Sequence, residues 1–218
     1  MDLQKHHKPT FDNISEEKRQ RIIQAATGEF AQKGFENANM NTIAKKADVS
    51  VGSLYKYFEN KQDLFLTIIQ YSIKSMEELL TVLAVSEEDI LVKVERIIRE
   101  IQRSSKESAT LLKLYNAMTA ENNPRFASQF AYEMEALTAS IYRKAIEEGQ
   151  KNGDIRADID APFAAFLLDD IFMTLQFSYA CDYYKERFRI YAGNNIIDRD
   201  DFVVEQCLKF VKSALKKV

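Results

Sequence analysis

The stretch from Ser15 to Phe58 constrains the fold most, because apolar residues recur there at helical spacing and cap residues repeatedly cut the run. Ser15 is a good N-cap, and Glu16 and Glu17 sit favourably against the positive end of a helix dipole. Ile22, Ala26 and Phe30 then repeat every four residues and form one buried stripe. Gly34 supplies the left-handed position of a Schellman-type stop, with Phe35 placed to fold back on Phe30. Asn39 caps a short second helix whose inner face is Met40, Ile43, Ala44 and Ala47. Asp48-Val49-Ser50 makes a tight turn, and Ser50 caps a third helix running through Phe58. Asn60, with Asp63 three residues on, opens a fourth. Three helices joined by such short turns predict a compact trihelical module.

The third helix carries the chemistry. At about 100° per residue, Leu54 and Phe58 share one direction and must face the core. Gly52, Ser53 and Lys56 point the opposite way, and Tyr55 and Tyr57 project to the two flanks. That layout suits a helix in a DNA major groove. Small residues let its N-terminal backbone approach the bases, and Ser53 and Lys56 reach base edges. The tyrosines can hydrogen-bond to phosphates on either groove wall, which positions the helix without reading sequence. Lys61 at the start of the fourth helix is a candidate phosphate clamp, and Asn39 and Thr42 offer similar contacts from the second. The plain alternative is the solvated polar face of an ordinary helical subdomain. Paired tyrosines beside Lys56, followed by Lys61, weigh against it.

Residues 22–65, above all Asn41-Thr42-Ile43-Ala44-Lys45-Lys46-Ala47-Asp48-Val49-Ser50-Val51-Gly52-Ser53-Leu54-Tyr55-Lys56-Tyr57-Phe58-Glu59-Asn60-Lys61, resemble the TetR family of bacterial repressors. The shared pattern is an Ile-Ala pair, a turn ending Val-Ser, then Gly-Ser-Leu-Tyr, an aromatic-Phe pair and a Lys opening the next helix. The resemblance implies that Thr42, Ser50, Gly52, Ser53, Tyr55, Lys56, Tyr57 and Lys61 contact a double-stranded operator. Asn39 and Val51 complete the candidate DNA-binding set. It also implies a homodimer. Asp48 departs from the pattern, since the family usually has Gly at that turn; Asp tolerates left-handed backbone better than most residues.

Helical patterning continues beyond Leu64, with helices expected near 61–83, 87–105, 107–119, 124–151, 161–190 and 199–217. The 218 residues hold only six Gly and three Pro, and no alternating strand pattern is present. The expected fold is all-α. A flexible basic arm (1–14) precedes an N-terminal three-helix DNA-binding module with a helix-turn-helix (15–61). A C-terminal helical bundle for ligand binding and dimerisation follows (62–218).

Two aromatic-rich helices are candidates for a pocket that takes an apolar or aromatic small molecule. One holds Phe126, Phe130, Tyr132, Met134 and Tyr142; the other holds Phe163, Phe166, Phe172, Met173, Phe177 and Tyr179. An ordinary core is the competing reading for any one of them. Adjacent Asp169 and Asp170 point about 100° apart, so at least one faces an interior or an interface. A buried carboxylate needs a partner, either a cationic ligand held partly by aromatic rings or an arginine such as Arg125 or Arg143. The candidate effector set is Phe126, Phe130, Tyr142, Phe166, Asp169, Asp170, Met173 and Phe177. For dimerisation the best candidates are the helices near Ala161–Tyr184 and Phe202–Leu215; the last has an apolar stripe of Phe202, Val203, Cys207, Phe210, Val211 and Ala214. The fourth helix, which leaves the head directly, is the candidate transmission element.

Several classes drop out. The two aspartates interrupt the longest apolar stretch, and each would cost roughly 2.5–3.5 kcal/mol in a bilayer, so a cytoplasmic chain without a membrane partner is expected. The only histidines are His6 and His7. No glycine-rich phosphate loop, metal-ligand cluster or nucleophile elbow is present, so neither an enzyme nor a cofactor or metal is expected. Cys181 and Cys207 read as buried structural thiols. The net charge of −3 alone favours no nucleic-acid binder, although the acidic excess lies beyond the first 65 residues. The rival function is a helical protein-interaction module without DNA binding.

Overall fold

The computed structural model describes residues 5–107, 109–119 and 124–216, which hold eleven α-helices, one short 3-10 turn and no strand. The N-terminal head is built as its local signals require. Helix α2 (Glu16–Asn37) starts at Ser15, whose hydroxyl accepts from the Lys18 N–H at 3.3 Å. Ile22, Ala26 and Phe30 are fully buried. Gly34 leaves the helical path at φ +71°, ψ 169°, a region that only glycine enters cheaply. The exit is therefore not the expected Schellman stop: Phe35–Asn37 resume a helical turn, and the Phe35 ring stacks on Phe30 at 6.0 Å.

Helix α3 (Met40–Lys46) is capped by Asn39, which accepts from the Asn41 N–H at 2.8 Å. Helix α4 (Val51–Tyr57) is capped by Ser50, which accepts from the Ser53 N–H at 3.0 Å. Asp48 makes the turn between them at φ +53°, the one non-glycine in that region among the described residues. Helix α5 (Lys61–Val85) starts at Asn60.

The arm is a correction. Residues 5–14 do not hang free of the head: they contain a short helix, α1 (Pro9–Asp12), and Phe11 within it is 0 % exposed. One aromatic in a polar segment gives no periodicity, so the sequence carried no sign that it was an anchor.

The C-terminal helices are α6 (Ile90–Glu107), α7 (Ala109–Thr119), α8 (Pro124–Asn152), α9 (Ala161–Ala180), α10 (Asp182–Ala192) and α11 (Asp200–Leu215). The single helix expected at 161–190 is two. Cys181 adopts an extended conformation (φ −98°, ψ 134°), its N–H closing α9 on Phe177 O while Asp182 opens α10. A one-residue break leaves the apolar spacing nearly unchanged, which is why periodicity alone runs through it. Helix α9 is central, packing against α6, α7, α8 and α10, and α11 lies on α6.

Two cores result. The head core does not end at residue 61: it takes in Leu64 to Ile69 of α5, Leu114 and Tyr115 of α7, and Phe177, Ala180 and Cys181. A second core joins α6, α9 and α11 around Ile98, Leu168, Phe172 and Val203. Among the described residues no helix is long and apolar enough to cross a membrane.

Candidate nucleic-acid interface

Helix α4 is held from beneath by Leu54 and Phe58, both 0 % exposed, as its angular pattern requires. Gly52, Tyr55 and Lys56 are exposed, with Tyr55 at 47 %. The Lys56 ammonium forms no ion pair among the described residues. Ser50 is exposed at the helix start, while Val51 and Ser53 are half-buried, and the two serine hydroxyls lie 2.8 Å apart. From α3, Asn39 is exposed and Thr42 half-buried. A Cβ built on Gly52 would meet only Ser50 Oγ, at 3.9 Å, so nothing inside the protein demands glycine there. What the missing side chain gives is clearance on the outer surface.

Electrostatics hold α3 in register with α2. The Glu29 carboxylate is almost wholly buried and accepts from Lys46 Nζ at 2.8 Å. That hydrogen bond holds its pKa below the usual glutamate value against the opposing effect of burial. Arg21 Nε adds a long bond to the Ala47 carbonyl at 3.4 Å.

Two expected contacts lie elsewhere. Tyr57 does not project on a flank: it is 8 % exposed, its ring 5.8 Å from Phe11 and 6.4 Å from Phe58. The arm covers it, and an angular wheel of α4 alone has no knowledge of the arm. The Lys61 ammonium, expected as a phosphate clamp at the start of α5, is engaged within the head. It donates to the Glu36 and Ala38 carbonyls at 2.8 and 3.3 Å and sits 4.9 Å from the Phe35 ring centroid, bracing the end of α2.

Residues 22–68 match the family of bacterial regulatory proteins named for TetR. An uncharacterized HTH-type transcriptional regulator, YhgD of Bacillus subtilis, is 26% identical over 166 residues, covering 76% of this chain and 86% of the relative. A probable acrEF/envCD operon repressor of Escherichia coli K12 is 28% identical over 160 residues, covering 71% and 72%. A TetR family regulator from Chloroflexus aurantiacus superposes with a TM-score of 0.68 at 23% identity, over 97% of this chain and 99% of that one. Residues 22–68 are therefore a TetR-type DNA-binding module.

Beyond this module the C-terminal helices leave a cavity of about 380 Å³ between α8 and α9. Phe166, Asp169, Asp170 and Met173 line it, as the sequence suggested, together with Glu135, Arg143, and the small residues Ala136, Ala139 and Ser140. Asp169 forms no hydrogen bond or ion pair among the described residues. Burial first, then Glu135 and Asp170 nearby, push its carboxyl up to about 7. Glu135 accepts from the Tyr115 hydroxyl at 2.7 Å.

Two of the expected lining residues are core instead. Tyr142 is buried with its ring 5.5 Å from Phe172, and Phe177 is buried in the head core, 5.5 Å from Tyr115 and 5.3 Å from Tyr184. Aromatic spacing marks a buried face without saying whether another side chain or a void fills it. The Phe126 and Phe130 side chains, and those of Arg125 and Met134, lie outside the described residues. Glu135 escaped the sequence reading; the available signal was the run of small residues following it, which leaves room on one face of α8. Among the described residues no group of three or more His, Cys, Asp or Glu side chains is arranged to hold a metal.

A second hollow of about 370 Å³ lies between α9 and α11, lined by Phe163, Leu167, Ile171, Phe210 and Ala214. Phe163 and Phe210 are 59 % and 66 % exposed.

Proposed function

We propose that the chain is a cytoplasmic, ligand-responsive repressor that binds a pseudo-palindromic operator as a homodimer and is released by a small-molecule effector. The observation that carries the reading is the outer face of α4. Gly52, Tyr55 and Lys56 are exposed there over a rigid Leu54–Phe58 anchor, and no internal packing uses them. Gly52 gives the backbone access to base edges, Ser53 and Lys56 read them, and Tyr55 fixes the helix on a phosphate. Asn39, Thr42 and the Ser50–Val51 helix start supply the remaining contacts. Tyr57 and Lys61 support this surface from inside and are left out of the contact set.

The exposed Phe163, Leu167 and Phe210 favour pairing of α9 and α11 with the same helices of a second copy, since such a cluster is costly to leave in water. Two copies would set their α4 helices one DNA turn apart, roughly 34–36 Å. The α8–α9 cavity fits an amphipathic cation. Its walls are largely apolar, Phe166 offers a ring face, and Glu135, Asp169 and Asp170 supply negative charge against the single Arg143. Release then requires tighter binding to a conformer whose α4 spacing differs.

Helix α5 links the head to the bundle, and α7 gives a second route. Tyr115 is buried in the head core while its hydroxyl holds the cavity's Glu135. Met173 also lines the cavity and packs on that core.

Footprinting of fragmented genomic DNA with the purified protein tests the reading, followed by anisotropy on the protected duplex across a salt series. Two protected half-sites and an affinity falling steeply with salt are expected. Absence of any protected site would leave the protein-interaction module as the better reading.

A further inference from the structure

The last four carbonyls of an α-helix have no partner within the helix, and a helix of two turns is not stable alone. For α4 these carbonyls belong to Leu54, Tyr55, Lys56 and Tyr57, and the Leu54 carbonyl accepts from the Phe58 N–H at 2.8 Å. The arm supplies the other three donors. Lys8 Nζ donates to the Tyr55 carbonyl at 3.0 Å, the Thr10 hydroxyl to the Lys56 carbonyl at 2.6 Å, and the Lys8 N–H to the Tyr57 carbonyl at 2.7 Å. Every orphan acceptor at that end is satisfied.

The same arm is fixed on its other side. The Phe11 ring lies 4.8 Å from Phe58 at the end of α4 and 6.5 Å from Tyr71 of α5. Arg19 of α2 donates to the Asp12 carbonyl at 2.9 Å, with its guanidinium carbon 5.7 Å from the Phe11 ring centroid. Lys8 also pairs with Glu59 at 2.7 Å. The arm therefore joins the C-terminal end of the DNA-facing helix to α2 and to the helix leading into the bundle.

We propose that Lys8, Thr10 and Phe11 form a positioning clamp that sets the pitch of α4, so that the arm governs operator discrimination without touching DNA. The proposal rests on α4 being the reading helix. Its direct competitor is a phosphate contact by Lys8, a cation beside the DNA-facing surface, and the two differ in what salt does. A clamp fixes geometry, so its loss lowers affinity for the operator and leaves non-specific binding and the salt slope as they were. A phosphate contact contributes to both kinds of DNA, and its loss flattens the slope by roughly two counterions in a dimer.

The test uses the full-length chain as Thr10→Val, Thr10→Ser and Lys8→Met, each checked by calorimetry to be folded at the assay temperature. Affinity is read on the footprinted operator and on an unrelated duplex of equal length. The expected result is about a thirtyfold loss of operator affinity in Thr10→Val and in Lys8→Met, the value of one hydrogen bond in each of two subunits. Thr10→Ser, which keeps the donor, retains wild-type affinity, and salt slopes and unrelated-duplex affinity stay unchanged throughout. The clamp is overturned if Thr10→Val and Lys8→Met bind the operator as wild type does. It is equally overturned if Lys8→Met loses affinity alike on both duplexes with a flattened slope. Thr10 and Lys8 have exposed side chains, so both variants should fold; Phe11→Leu, which keeps an apolar plug, is a further check with the same expected pattern. Failure of the DNA-binding reading itself would show earlier, as a wild-type chain that does not distinguish the two duplexes.

Discussion

Gly52→Ala should move stability and DNA affinity in opposite directions. The added methyl group meets only Ser50 Oγ, at an ordinary 3.9 Å, so the protein accepts it without strain. Replacing glycine in a helix by alanine gains about 0.5–1 kcal/mol through the reduced freedom of the unfolded chain. For a chain of this length that raises Tm by about 1–4 °C. Against DNA the methyl group fills the clearance the glycine leaves. A shift of about 1 Å would break one base-edge contact per half-site, each worth about 1–3 kcal/mol. A dimer then loses roughly 2–6 kcal/mol, at least about thirtyfold in operator affinity. Phosphate-driven binding to unrelated DNA should hardly change. Calorimetry with anisotropy on operator and unrelated duplexes reads all three quantities. A raised Tm with undiminished operator affinity would show that the start of α4 does not approach the bases.

Other outcomes follow from the bundle. Asp169 is an acid whose folded pKa is raised to about 7, so its contribution to stability is present below the unfolded value of 3.8 and is lost as pH rises through about 7. Asp169→Asn should therefore stabilise the chain more at pH 8 than at pH 5.5 by thermal melts, and equal shifts would refute the burial argument. Because a cation favours the ionised carboxylate, the affinity of a lipophilic cation should increase from pH 6 to 8 in the wild type and lose that slope in Asp169→Asn, read by titration calorimetry. Tyr115→Phe removes the hydroxyl that holds Glu135 and keeps the ring in the head core. Such a cation should still bind this variant but release operator several-fold less well; unaltered release would take α7 out of the coupling. Phe210→Asp should convert a dimer to a monomer in sedimentation at micromolar concentration, whereas an unchanged mass would place the interface elsewhere.

The head was legible because its signals are local. Ser15, Asn39, Ser50 and Asn60 each cap the helix that begins just after them, and Leu54 and Phe58 are buried where a wheel of α4 puts them. What the sequence hid depends on contacts between distant segments. Thr10 meets Lys56 across 46 residues, and Phe11 has no neighbouring apolar residue to announce its burial. Tyr57 was misplaced for the same reason, since the arm that covers it is remote in sequence. In the bundle, Asp169 and Asp170 could be singled out because charge inside an apolar run is conspicuous. Glu135 sits in an ordinary amphipathic stretch, and only the packing of α8 on α9 turns it towards the cavity.

The central claim, that the outer face of α4 reads base sequence, is tested most directly by Lys56→Ala against a library of operators mutated one base pair at a time. The account predicts that discrimination vanishes at one position in each half-site, symmetrically placed, and persists at all others. A variant that still discriminates at every position, or that loses affinity evenly across the whole library, would contradict it.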